Sequence, residues 1–189
     1  MFEILRGPIA KGSLAGRTAL GVPASLPTPV RERPGDLEIL GEALKREVRT
    51  LFAGSLKLRH LDVGSCNACE GELAALLNPF HDVQRFGIDI VASPRHADGL
   101  LVTGPVSRHL EEALRLTDEA TPRPRLVIAV GDCACDGGFC ASSFAVAGGV
   151  ANVLPVDVRI PGCPPRPDAI VEGLLAALGR VRVQDAAAR

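Results

Sequence analysis

Tryptophan and tyrosine are absent from the 189 residues, and six phenylalanines are the whole aromatic complement. Little is left for stacking nucleic-acid bases or caging cations. Absorbance beyond the far ultraviolet would therefore come almost wholly from a bound group. Net charge is nearly absent too: 21 Lys and Arg against 22 Asp and Glu give a formal −1. A nucleic-acid binder normally carries a basic excess on one face, so nucleic acid is not an expected partner. No run of about 18 apolar residues occurs, which excludes a membrane-spanning helix. Met1–Leu20 holds neither a continuous apolar stretch nor a twin-Arg pair, so the expected compartment is the cytoplasm. In that reducing space six cysteines read as metal ligands or buried thiols rather than a disulfide framework.

With 47% apolar residues the chain can build a full core without cross-links. Residues 1–35 differ from the rest. Pro8, Pro23, Pro27, Pro29 and Pro34, interleaved with five glycines, interrupt any long helix or central strand and predict an extended arm. Residues 36–56 predict an amphipathic helix and linker, with Leu37, Leu40, Leu44, Val48 and Leu51 on one stripe. Residues 57–180 then alternate strand and helix signals. Strands are expected at 58–63, 87–92, 99–103, 126–130 and 153–160, and helices at 70–77, 107–119 and 167–178, with 181–189 a short tail. That order predicts a three-layer, flavodoxin-like α/β fold with a mostly parallel sheet.

The cysteines follow the strands. Cys66 and Cys69 come after the first, Cys133, Cys135 and Cys140 after the run RLVIAV, and Cys163 after the last. In an open parallel sheet the loops after the carboxyl ends share one edge, where ligands bind. Three separated stretches thus deliver thiols to one place. CNAC is a CxxC, which lets two thiolates from one turn grip a single metal centre. Glycine and proline crowd the other loops, bringing backbone N–H groups near sulfur and stiffening the chain. Four soft thiolates suit either a 4Fe–4S cluster or tetrahedral zinc, the latter making a structural or interaction module. A CxxC thiol oxidoreductase would use Cys66 and Cys69 alone.

The segments DVGSCNACEGEL, DVQRFGIDIVASPRHADGLLVTGPV, VGDCACDGG and LPVDVRIPGCPPRPDAI, in this order, resemble the electron-transferring small subunit of membrane-bound group 4 NiFe hydrogenases and formate hydrogenlyases. The same superfamily includes the 20-kDa subunit of NADH:quinone oxidoreductase. The likeness covers about residues 57–178. It implies one 4Fe–4S cluster at the carboxyl ends of the strands, held by Cys66, Cys69, Cys133 and Cys163, with Cys135 as alternative ligand. Cys133 matches the family's Gly-x-Cys loop, and CxxC matches the hydrogenase branch, since the quinone-reducing branch has two adjacent cysteines. Glu70, Glu72, Arg85 and Arg95 sit in the matching motifs, near the cluster or a partner interface. The resemblance implies an oxidoreductase subunit with no catalytic residues of its own. Its implied partners are a NiFe hydrogenase-like or complex I-like large subunit, a ferredoxin-like iron–sulfur subunit and, indirectly, membrane subunits that hold it on the inner face of the cytoplasmic membrane. The alternative within the class is a complex I-like quinone reductase or a nickel-free ion-pumping module. His60, His81, His96 and His109 match no metal-ligand spacing and are expected to be structural or exposed.

Overall fold

The computed structural model describes residues 36–52 and 54–187, so the arm expected over 1–35 lies outside the described residues. Five parallel strands form one sheet: β1 (Leu56–Asp62), β2 (Ile88–Ile90), β3 (Gly99–Thr103), β4 (Leu126–Val130) and β5 (Val158–Ile160), in the order β2-β1-β3-β4-β5. This is the flavodoxin-like order, and it puts every strand's carboxyl end on one edge. The helices are α1 (Asp36–Leu51), α2 (Ala68–Leu76), α3 (Glu111–Ala120), α4 (Asp132–Asp136) and α5 (Pro167–Ala187).

Strand periodicity sorts the core into two layers. On β4, Leu126, Ile128 and Val130 face one side, while Val127 and Ala129 face the other. Both sides are covered, which is why RLVIAV carries no polar alternation. The first layer joins Leu44 and Val48 of α1, Leu73 and Leu76 of α2, and Ile170, Val171 and Leu174 of α5. The second joins Leu114 of α3 with Ala134, Val150 and Leu154. Each fully buried Leu, Ile or Val contributes about 1.5–3 kcal/mol relative to exposure. Leu44 and Val48 are 0% exposed, so the α1 stripe faces this domain's own core. Phe86 is seated against Gly41 of that helix.

Several boundaries differ from the sequence expectation, each for a physical reason. Ser107 does not cap α3. Its N–H bonds the Val63 carbonyl and it bridges Val146, so 107–110 is held as loop, Leu110 is the N-cap residue, and Leu110 is partly exposed. After the 3-10 turn at 150–152, the Val153 and Leu154 N–H groups bond the Val150 carbonyl (2.9 Å each) and Pro155 has no N–H to give, so β5 is only three residues long. α5 runs through Gly179, which is exposed and crowds nothing, to Ala187. No helix among the described residues is long and apolar enough to cross a membrane.

Candidate metal centre

The first cysteine loop is shaped by Asp62, the last residue of β1. Its Oδ1 accepts the N–H groups of Gly64 (2.8 Å) and Ser65 (2.7 Å), turning the chain sharply before Cys66. Ser65 Oγ then accepts the Asn67 N–H at 3.1 Å, just ahead of α2. Burial pushes the Asp62 carboxyl up, but the two backbone donors outweigh it and hold it below the ordinary carboxylate range. The loop after β3 presses on the same turn. Gly104 has φ +81°, and a Cβ there would lie 2.4 Å from the Ser65 nitrogen, so only glycine serves.

The second and third loops are tied to each other. The Gly131 N–H bonds the Ile160 carbonyl at 2.8 Å. Asp132 donates its N–H to the Gly162 carbonyl (2.9 Å), and its Oδ1 accepts the Gly162 N–H (2.7 Å). Asp132 thereby clamps the Cys133 loop to the Cys163 loop. Gly131, at φ +90°, is where all three loops meet. A Cβ there would stand 2.6 Å from Cys69 Sγ, 3.4 Å from the Gly162 carbonyl oxygen and 3.8 Å from Pro165 Cδ.

The thiols divide into two groups. Cys69 is buried, Cys133 half-buried, and Cys66 and Cys163 exposed. Burial pushes the Cys69 thiol up to about 12, and Glu70, Cys133, Cys66 and Cys163 add to it in that order. Cys133 is also raised, by burial first and then by Cys163, Cys140, Cys66 and Asp132. Cys66, Cys133 and Cys163 thus all act on Cys69, and Cys163, Cys140 and Cys66 on Cys133. Cys135 is different: its Sγ lies 3.8 Å from the Ala129 carbonyl oxygen and packs into the second core layer. Burial raises it to about 11, with Asp132 adding and Arg159 opposing. Cys140 stands near Cys133, on the 3-10 turn Gly138–Cys140.

The donor set is all sulfur at Cys66, Cys69, Cys133 and Cys163. One zinc holds its sulfurs about 2.3 Å away. Among the described residues no three His, Cys, Asp or Glu side chains come together closely enough for one metal ion. Soft thiolates delivered by three loops to one edge are the donor type that an iron–sulfur group takes.

The charged residues of the matching motifs do not assemble in one place. Glu70 follows Cys69 in the first turn of α2, with its side chain 15% exposed. Glu72 is half-buried on the same helix. Arg85 precedes β2, at the edge opposite the cysteines, where it pairs with Glu38 of α1 at 2.6 Å and lies over the Phe86 ring. Arg95 is exposed in the 94–96 turn between β2 and β3. His81 Nδ1 is 2.9 Å from the Ala75 carbonyl, and His96 and His109 are exposed. Sequence reasoning missed Asp132, Asp62 and Thr103, and read His60 only as structural or exposed. Asp62 had a signal in DVGS, an Asp two residues before Gly at a strand end. Asp132 joins two loops, and Thr103 contacts both Glu70 of α2 and His60 of β1 (3.0 Å to its Nε2), contacts that no local pattern displays.

Residues 66–177 match the family model of the NADH ubiquinone oxidoreductase 20 Kd subunit. The chain belongs to this family. It is thus a subunit of an oxidoreductase complex. It is 47% identical over 122 residues to a probable membrane-bound hydrogenase subunit of Pyrococcus furiosus, covering 65% of this chain and 73% of that one. It is 39% identical over 166 residues to formate hydrogenlyase subunit 7 of Escherichia coli, covering 88% of this chain and 62% of that one. Among solved structures, a chain of the archaeal membrane-bound sulfane sulfur reductase complex is similar, with TM-score 0.61, 30% identity and coverage of 74% and 75%. These relatives, and the 20-kDa family itself, belong to multisubunit respiratory or hydrogenase complexes.

Proposed function

We propose that this subunit carries one 4Fe–4S cluster on Cys66, Cys69, Cys133 and Cys163 and relays electrons to or from the catalytic large subunit of a membrane-associated, formate hydrogenlyase-like NiFe hydrogenase. The observation that carries the reading is the meeting of the β1, β4 and β5 loops at Gly131, with four thiols around it in a chain of this family. When bound, the cluster supplies a one-electron relay. The chain's own residues do the rest. Asp62 and Gly104 set the turn that presents Cys66 and Cys69, and Asp132 holds the Cys133 and Cys163 loops at fixed spacing. Burial of Cys69 keeps water from one side of the site.

The large subunit docks on the same edge. Phe139 and Phe144, on the segment just after α4, are 81% and 92% exposed there. Isolated apolar side chains are ordinary on surfaces, but two bulky exposed rings on the segment that follows the Cys133 loop suit burial by a partner. A ferredoxin-like subunit supplies or removes the electron, and the assembly lies on the inner face of the cytoplasmic membrane through its membrane subunits.

One observation favours a second reading. The similar solved chain comes from a sulfane sulfur reductase complex, so a nickel-free, complex I-like module is the alternative. Iron and nickel analysis of the complex, isolated anaerobically through a tag on this chain, decides between them. Iron with nickel supports the hydrogenase. Iron without nickel keeps the cluster and moves the reaction to the alternative, while zinc without iron overturns the cluster.

A further inference from the structure

We propose that Glu70 is a positioning residue that holds an uncompensated negative charge beside Cys69 and thereby lowers the reduction potential of the bound cluster. The inference rests on the four-cysteine reading above and adds to it the group that tunes the relay.

The carboxylate is turned inward, toward the strand ends. Thr103 Oγ1, on the last residue of β3 and 0% exposed, donates its proton to Glu70 Oε1. A hydroxyl has one proton to give, so the contact between Thr103 Oγ1 and His60 Nε2 (3.0 Å) must be donated by the imidazole. Glu70, Thr103 and His60 thus form a chain across α2, β3 and β1. Glu70 Oε2 is buried and has no hydrogen-bond partner among the described residues. The cation nearest the carboxylate among the described residues would be His60, with Nε2 3.7 Å from Oε1. Burial, with Arg59 adding, lowers the His60 pKa below 6.5 against the opposing pull of Glu70 and Asp62, so the ring is neutral at neutral pH. No Lys or Arg among the described residues pairs with Glu70.

A charge held this way acts at close range. Adding an electron to the cluster places more negative charge beside one that water screens poorly, which makes reduction harder. Cys69 already responds in that sense, since Glu70 is the largest charge among those raising its thiol.

The test is an EPR-monitored redox titration, at one fixed pH, of the anaerobically isolated complex. Glu70→Gln and Glu70→Ala remove the charge while leaving different shapes, and Glu70→Asp keeps it. Both neutral variants are expected to shift the midpoint upward, with Glu70→Asp staying near the parent. A loaded neutral variant whose midpoint coincides with the parent overturns the proposal. If neither neutral variant retains iron, Thr103→Val, which removes the hydroxyl bonded to Glu70 Oε1, is titrated in their place: a displaced midpoint supports the role and a midpoint at the parent value overturns it. An unaltered complex with no iron–sulfur signal overturns the cluster itself, an outcome distinct from an unmoved midpoint.

Discussion

Individual side chains sort the thiols by what each one touches. Cys133 shares its surroundings with Cys66, Cys69 and Cys163, whereas Cys135 points at the Ala129 carbonyl. Cys133→Ala and Cys163→Ala are each expected to abolish the cluster, and Cys135→Ala and Cys140→Ala to retain it, by iron content and EPR of the isolated complex. A retained signal in Cys133→Ala would transfer the ligand to Cys135. His60 carries a pH dependence of known sign. Its folded-state pKa is lowered, chiefly by burial, so between that value and 6.5 the unfolded chain binds more protons at this site. Stability is therefore complete above about 6.5 and is lost as pH falls toward the folded value. Thermal midpoints recorded from about pH 8 down to about pH 5 are expected to decline less steeply in His60→Gln than in the parent. The convergence of the cysteines was legible from sequence because each group follows a segment with a strand signal, strongest in the fully buried LVIAV. The Asp132 clamp and the Thr103–Glu70 bond were not, since each joins residues about 30 positions apart or more.

At the element scale, α1 and α5 respond oppositely to the same change. A Cβ on Gly41 would lie 2.1–2.5 Å from the ring atoms of Phe86, which is 1% exposed and has no room to retreat. Gly41→Ala is expected to destabilise the domain by about 1–3 kcal/mol. Gly179, in contrast, is helical with nothing within 4 Å, so Gly179→Ala is expected to stabilise by about 0.5–1 kcal/mol. Chemical denaturation of the two variants checks both signs. The same pair explains what periodicity could and could not reveal. The α1 stripe and RLVIAV were readable because burial imposes its own spacing on sequence. The end of α5 was misread because glycine after an apolar run signals a stop only where the chain turns there. The five-residue α4 is too short for any helical period to emerge, and β5 shrank because Val153 and Leu154 turn back to bond the Val150 carbonyl and Pro155 follows them.

On the scale of the molecule, the sheet divides its labour between two edges. The carboxyl edge holds the thiols and the exposed Phe139 and Phe144, while the opposite edge is closed by pairs such as Arg85 with Glu38. Phe139→Ser with Phe144→Ser is expected to leave the thermal midpoint of the chain within a few degrees of the parent and to reduce recovery of the large subunit in a tagged purification. Unchanged recovery would move the docking surface elsewhere. The spread of the thiols along the chain also bears on how the subunit is made. Cys66 and Cys69 leave the ribosome early, but Cys163 follows β5, the last strand of the sheet. Under the proposed ligand set, a nascent or truncated chain lacking β5 offers at most three ligands. Cofactor insertion then has to wait until Cys163 has been made, and a loaded cluster marks a subunit whose five strands have all been synthesised.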